Sequence, residues 1–471
     1  MSRLDRALEA NKKWNNNLEK LKFDMDEIRI FDAFAGVGAL HQSLKELGVP
    51  VRVTNLSEID IDAIIAYAGG HIDNFKKLDF NYPSEEVMKK YLIERNIGYN
   101  FEKKKSSISR IKLDKLKLVY KASVILNNLG DISKIDYSKI EDFDLMNMSF
   151  PCTDLSNAGQ QRGMKNEDGT PTRSGLYVYS IEAIRVKKPK YVMIENVKAL
   201  IHKKFIDDFY SVISELEECG YNCYYPKIED RKGAKPVCLN SKDFGIPQNR
   251  ERIFVIAIRK DIDNKTFKFP IGKDSRIRLK DVLENQVDEK YYLSKEYMKR
   301  FLSSTFKIDN EIKILRTTVG KQAKGTNSRH WVHDVNGIVG ALSTTDYKQP
   351  KQILNIKDDS IYRHNKLIKI GCIGADSQGN RVYSVNGIGS TQVGQAGGLG
   401  AKTGLYMDNF GIRKLTPLEC WRLQGFRDEM FYKAQELGIS DTQLYKQAGN
   451  SITVNVLYYI FKNLFVEYVA I

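Results

Sequence analysis

Cysteine is scarce in this chain: the six residues at 152, 219, 223, 238, 372 and 420 are too thinly spread to frame a disulfide scaffold. A reducing, intracellular compartment is the expectation that follows. Cys219 and Cys223 form a Cys-x-x-x-Cys with no second Cys/His pair close by, and His330-Trp-Val-His333 stands alone. The ligand number that a zinc site needs is not met by either, so no metal is expected. No apolar run reaches about 18 residues, the length a spanning helix requires. The charged start Met1-Ser-Arg-Leu-Asp-Arg6 lacks the apolar stretch of a secretory leader. Acidic residues also fall short, at 59 against 74 basic ones, for a formal charge of +15. That excess fits a polyanionic partner, nucleic acid above all, or a protein that is simply basic.

What is there has the texture of a globular α/β protein. The 471 residues exceed what one core comfortably fills, so two domains are expected. Residues 1–27 read as an amphipathic lead-in, with Leu4, Leu8, Leu18 and Leu21 spaced for a weak helical face. Strand-like Ile28-Arg-Ile-Phe31 then meets a turn at Gly36 and Gly38, a helical Ala39 to Leu47 ends at Gly48, and a second strand and helix follow at Val51 to Thr54 and Ile61 to Tyr67. A Lys-rich insertion at about 76–121 reads as a solvated helical excursion or a DNA-contacting arm. The alternation resumes at Asp144 to Phe150, Ser174 to Val186, Tyr191 to Ile194, Phe205 to Glu218 and Ile253 to Ile258. Such a rhythm predicts a mainly parallel sheet wrapped by helices. After Arg259 the chain turns polar, with Val-Asn-Gly hairpin signals near 335–337 and 385–387 and a glycine-rich loop at 391–403. Helical texture returns at Thr416, and an apolar helix at Val454 to Val469 closes the chain.

Four patterns carry chemistry. Phe31-Asp-Ala-Phe-Ala-Gly-Val-Gly38 follows a strand and opens a helix, so small residues let a cofactor approach the main chain. Glu58, after the next strand, has the placement of an acid that accepts from ribose hydroxyls, and Asp131 that of one meeting an adenine amino group. Helix capping or surface solvation competes as the explanation for each acid. Cys152 ends the strand-like Leu145-Met-Asn-Met-Ser-Phe-Pro-Cys152, and Glu195 ends the apolar Tyr191-Val-Met-Ile-Glu195. Arg250 and Arg252 alternate just before Ile253. Carbon 5 of cytosine is too weak a nucleophile to take a methyl group directly. A thiolate adding at carbon 6, an acid at ring nitrogen 3 and fixed cations near the ring oxygen and flanking phosphate activate it, and these residues can supply all three.

The chain resembles the DNA (cytosine-5) methyltransferases through Phe34-Ala-Gly-x-Gly38, Pro151-Cys152, Glu195-Asn-Val197, Gln248-x-Arg250-x-Arg252, Arg413-Lys-Leu-Thr-Pro-Leu-Glu419 and Gly449-Asn-Ser451, in the family's order. The resemblance implies methyl transfer from S-adenosylmethionine to carbon 5 of a flipped-out cytosine in double-stranded DNA, in the cytoplasm of a bacterial or phage-infected cell. It implies Cys152 as nucleophile, Glu195 on nitrogen 3, and Arg252 with Arg250 as ring and phosphate anchors. Phe34, Ala35, Gly36, Gly38, Glu58 and Ile59 would hold the cofactor, together with Asp131, Ile132, Pro151, Leu176, Asn450 and Ser451. The implied fold is a Rossmann-like catalytic domain at 28–262, completed by a hinge and C-terminal segment at 413–471. A smaller, mostly β or irregular recognition domain would occupy 263–412. The enzyme would act as a monomer, with or without a cognate restriction endonuclease.

The family's usual Gln after Pro-Cys is replaced by Thr153, which is too short to span the same gap. Three rivals fit less well. A transfer-RNA cytosine-5 methyltransferase carries a Cys-Phe-Thr signature that is absent, and an amino-group methyltransferase needs a Pro-Pro-aromatic loop where Ser149-Phe-Pro-Cys152 stands. A non-catalytic DNA-binding homologue would not need Cys152, Glu195 and both arginines together. Cys152→Ala is expected to abolish methyl transfer while leaving cofactor affinity nearly unchanged, as measured by label incorporation and calorimetry; turnover by that variant would sink the assignment.

Overall fold

The computed structural model describes residues 19–21, 26–101, 103–151, 154–155, 163–164, 170–228, 234–292, 294, 314–317, 331–334, 352–354, 365–373, 377–392, 394, 404–407 and 412–468. Strand β1 (Glu19–Leu21) is followed by β2 (Ile28–Ala33), α1 (Ala39–Leu47), β3 (Val51–Ser57) and α2 (Ile61–His71). The insertion contributes α3 (Glu85–Glu94), the small hairpin β4 (Tyr99–Asn100) and β5 (Lys105–Ser106), and α4 (Leu113–Ile125). Then come β6 (Leu145–Met148), α5 (Tyr177–Lys187), β7 (Tyr191–Val197), α6 (Ile206–Glu218), β8 (Tyr221–Tyr224), β9 (Leu239–Asn240) and β10 (Glu251–Arg259).

These strands form a seven-stranded sheet ordered β3-β2-β6-β7-β10-β8, with β9 paired to β10. The first four run parallel, as the alternation of apolar strands and helices predicts. Strand β10 breaks the pattern, lying antiparallel to both β7 and β8. The sheet is covered on both faces, so its strands read as nearly continuous apolar runs. Ile28, Ile30, Leu145, Met193 and Phe254 point into one layer, packed with α1, α2 and α4. Phe31, Ala33, Met146, Val192 and Val255 point into the other, packed with α5 and α6.

Three expectations need correction. The insertion is no solvated excursion: Met88, Leu92, Ile97, Ile108, Leu116 and Val119 are buried in the same layer as α2. Most of its lysines lie on the outer faces of helices whose apolar faces complete the core, while Lys121 is buried and its ammonium donates to the Leu78 carbonyl. The lead-in residue Leu21, assigned to a helical face, lies on β1, which pairs antiparallel with β18 (Val466–Tyr468); Leu4, Leu8 and Leu18 lie outside the described residues. The closing helix accordingly stops at Phe465 rather than reaching Val469.

Between these parts lie β11 (Ile314–Thr317), β12 (Trp331–Asp334) and β13 (Gln352–Leu354), which form a three-stranded sheet. Strands β14 (Lys369–Cys372), β15 (Arg381–Ser384), β16 (Leu405–Met407) and β17 (Ile412–Arg413) form a four-stranded one. The Asn-Gly turn after β15 closes no hairpin, because β15 pairs antiparallel with β14 and parallel with β16. The chain runs on instead to Gly389, which bridges to Gln248. The matching signal near 335–337 and most of the 391–403 loop fall outside the described residues. The C-terminal helices α7 (Pro417–Arg422), α8 (Asp428–Glu436), α9 (Asp441–Asn450) and α10 (Val454–Phe465) return to the main sheet, α8 against α2 and α10 against α1. If the insertion is integral, Leu116→Ala will cost about 2–5 kcal/mol in chemical denaturation; an unchanged midpoint would mean that it folds apart from the core.

Candidate functional site

The parallel strands deliver their polar ends to one edge. After β2, Phe34 takes a left-handed φ of 56° and Gly36 and Gly38 take 56° and 84°. A β-carbon on Gly38 would lie 2.3 Å from His71 Nε2, so close helix packing demands glycine there, whereas one on Gly36 would meet nothing within 4 Å. The Gly36 amide donates to Glu58 Oε2 at 2.9 Å, and Ile59 and Asp60 amides donate to Glu58 Oε1 at 2.7 and 2.8 Å. Burial raises the pKa of Glu58, as does the Asp60 charge, while these three N–H groups pull it down. Asp131 caps a short 3₁₀ turn (Ile132–Lys134) through the Ser133 amide, and Asn96 Nδ2 donates to its other oxygen at 2.7 Å. Capping is therefore part of what Asp131 does, and Ile132 beside it is buried. Leu176 is half-buried, just ahead of α5.

Beyond β6, the Ser149 hydroxyl donates to Asn147 Oδ1 at 2.7 Å, and Asn196 Nδ2 donates to the Phe150 carbonyl at 3.2 Å. Pro151 is half-buried. Cys152 and Thr153 lie outside the described residues, so the shorter side chain's effect on the loop does too.

Strands β7 and β10 pair with Phe254 opposite Glu195 and Arg252 opposite Val197. This register sets Arg252 Nε 3.0 Å from Glu195 Oε1, both side chains being mostly buried. That oxygen is buried and receives no aligned hydrogen bond, so the charges touch while an acceptor stays available. Arg250 departs from expectation. It is 3% exposed, and its guanidinium donates to the main-chain carbonyls of Gln392 at 3.1 Å, Gly449 at 3.2 Å and Ser451 at 2.7 Å. Strand pairing begins only at Glu251, and the Arg250 amide turns back to the Gln248 carbonyl, so the two arginines do not share a strand face. Rather than an open phosphate anchor, Arg250 is a clamp that draws Gly449–Ser451 onto the sheet. Asn450, at the end of α9, is exposed, and Ser451 is buried.

A family model described as C-5 cytosine-specific DNA methylase matches residues 96–466. The chain belongs to the C-5 cytosine-specific DNA methylase family. It is 31% identical to the type II methyltransferase M2.ScrFI of Lactococcus lactis subsp. cremoris, over 93% of this chain and 99% of that protein. Against the orphan methyltransferase M.SPRI of Bacillus phage SPR the identity is 28%, over 94% of this chain and 99% of that one. The crystal structure of the S. pombe Dnmt2 methyltransferase shares the fold with a TM-score of 0.51 at 14% identity, covering 93% of this chain and 98% of that one.

Sequence reasoning about this methylase missed three buried asparagines. Asn128 accepts from the Glu58 and Gly130 amides at 3.1 Å each and donates to the Glu58 carbonyl at 3.0 Å, locking the two cofactor-candidate acids together. Asn147 and Asn196 hold the segment before Cys152. Their only sequence signal is an amide within a strand or at its end, where apolar residues are the rule. Lys446 also escaped notice; it pairs with Asp60, the residue capping α2.

Under the glycine turn lies a buried polar seam. The Tyr67 hydroxyl lies 3.4 Å from Asp32 Oδ2 and 3.3 Å from His41 Nδ1, while His41 stacks on His71 with ring centroids 4.2 Å apart. Burial pushes the Asp32 carboxyl up to about 7, against the hydrogen bonds from Asn147 and Tyr67 and with help from the Glu58 charge. Burial and Lys45 push His41 down to about 4, and burial holds His71 well below its ordinary value. Between about pH 4 and pH 7 the folded protein keeps the Asp32 proton that the unfolded chain loses, so this group's stabilising contribution falls as pH rises. The histidines work in reverse, since the unfolded chain binds their protons first as pH drops below about 6.5. Asp32→Asn removes only the first effect. Its melting temperature relative to the wild type is expected to rise steadily from about pH 4 to pH 7; a constant offset would contradict the burial of an Asp32 proton.

Proposed function

We propose that this methylase transfers a methyl group from S-adenosylmethionine to carbon 5 of a flipped-out cytosine in double-stranded DNA through a covalent Cys152 adduct. The observation that carries the reading is the Glu195-Asn196 pair. One side chain offers a buried carboxylate oxygen beside Arg252, and its neighbour holds the carbonyl of Phe150, two residues before Cys152.

In this reading the Cys152 thiolate adds to carbon 6. The ring electrons move toward nitrogen 3 and the ring oxygen, where Glu195 hydrogen-bonds or protonates the former and Arg252 stabilises the latter. Arg252 also favours the thiolate form of Cys152. S-adenosylmethionine supplies an electrophilic methyl group to carbon 5. Loss of the carbon 5 proton then expels the thiolate and restores the ring. The turn at Phe34, Ala35, Gly36 and Gly38 fits such a cofactor: open space lies beyond Gly36, and Glu58 keeps acceptor capacity at its edge. Ile59, Asp131, Ile132, Pro151, Leu176, Asn450 and Ser451 would complete the pocket. Residues 263–412 would read sequence and the basic surface would bind phosphates. The biological role would be protective methylation in a bacterium or phage-infected cell, alone or beside a restriction endonuclease.

Base-resolution mapping of 5-methylcytosine tests this directly, in DNA from a methylation-free host expressing the protein. One short sequence context methylated by the wild type is expected. A soluble, cofactor-binding protein that leaves every context unmethylated would overturn the reading.

A further inference from the structure

We propose that Asp32, Asn147 and Ser149 form a positioning relay that holds the Ser149-Phe150-Pro151 segment, which leads to the nucleophile, in register with the glycine turn of the neighbouring strand; this rests on the function proposed above. Asp32 and Asn147 are direct partners in the parallel β2–β6 register. Both are polar residues buried to within 2% in a sheet whose adjacent side chains are Phe31, Ala33, Met146 and Met148. Stability alone would favour apolar residues there, because a buried amide and a buried carboxyl each lose hydration. Each is instead matched. Asn147 Nδ2 donates to Asp32 Oδ1 at 2.7 Å, and Asn147 Oδ1 accepts from the Ser149 hydroxyl at 2.7 Å.

The chemistry of the groups fixes this orientation. Asp32 Oδ1 accepts, so the amide turns its NH₂ toward Asp32, which leaves only its oxygen for the Ser149 hydroxyl. The chain leaving β6 is then held at two successive residues from two different strands. Ser149 is tied through Asn147 to the strand that bears the glycine turn, and the Phe150 carbonyl is tied by Asn196 to the strand that bears Glu195. The main chain also folds tightly here, the Phe150 amide donating to the Met148 carbonyl at 3.1 Å. The described chain up to Pro151 is thereby tied both to the strand of the glycine turn and to the strand of Glu195. None of the three relay residues need touch the substrate.

The test is Ser149→Ala, which removes one tie at a half-buried position without disturbing the core. The readouts are exchange of tritium from carbon 5 of cytosine in duplex DNA, which reports thiol addition and reversal, and calorimetric affinity for S-adenosylmethionine without DNA. Exchange and methylation are expected to fall together by about tenfold or more, as a displaced nucleophile dictates. Cofactor affinity and melting temperature should stay at wild-type values, and Ser149→Thr should restore most of the rate. Exchange at the wild-type rate in Ser149→Ala would overturn the relay, as would a loss of cofactor affinity in step with exchange. A wild-type protein that neither exchanges nor methylates would overturn the activity itself and the relay with it.

Discussion

Parallel strands that end at one edge leave main-chain groups there without ladder partners, and a buried group left unpaired is costly. In this methylase, side-chain amides take up that edge. Asn128 binds the main chain on both sides of Glu58 and at Gly130, and Asn196 binds the Phe150 carbonyl. Asn147 joins β2 to the segment leaving β6. Asn147 and Asn196 each tie one strand to the segment leaving β6, and Asn128 ties the end of β3 to the chain after α4, so residues far apart in sequence reach one edge.

A second tie closes the site from behind. The Arg250 guanidinium is buried, and the carbonyls of Gln392, Gly449 and Ser451 accept from its two terminal nitrogens, which offsets much of the cost of burying the charge. Two distant parts of the chain thus converge on one side chain at the start of β10. The packing of α10 on α1 and the pairing of Lys446 with Asp60 bind the C-terminal segment to the first helix and to the start of the second as well.

Much of this was legible in the sequence wherever local periodicity and a strong turn signal coincided. The helix from Ala39 ending at Gly48, the strands at Ile28, Leu145 and Tyr191, and the placement of Glu58 beyond its strand all follow from apolar spacing and glycine. The antiparallel entry of β10 was not legible, since a short apolar run carries no direction. Nor was the buried face of the insertion, where thirteen residues of α4 show lysines more plainly than the Leu116 and Val119 stripe beneath them. Arg250 and Arg252 alternate in the sequence but not in the fold, because Arg250 sits in a turn and strand pairing starts one residue later. The asparagine ties join residues up to 115 apart, as Asn147 and Asp32 do, and no local pattern encodes such a pairing.

In the proposed reaction the Cys152 thiol, following the β6 segment, attacks cytosine held by Glu195 and Arg252. The most direct measurement is intact-mass and peptide analysis of the wild type incubated with S-adenosylmethionine and duplex DNA synthesised with 5-fluorocytosine throughout, because fluorine at carbon 5 cannot leave as a proton does. A stable protein–DNA adduct on the peptide containing Cys152 is the predicted result. Methylation of ordinary DNA with no adduct on the fluorinated duplex, or an adduct on any other residue, would rule out attack by Cys152.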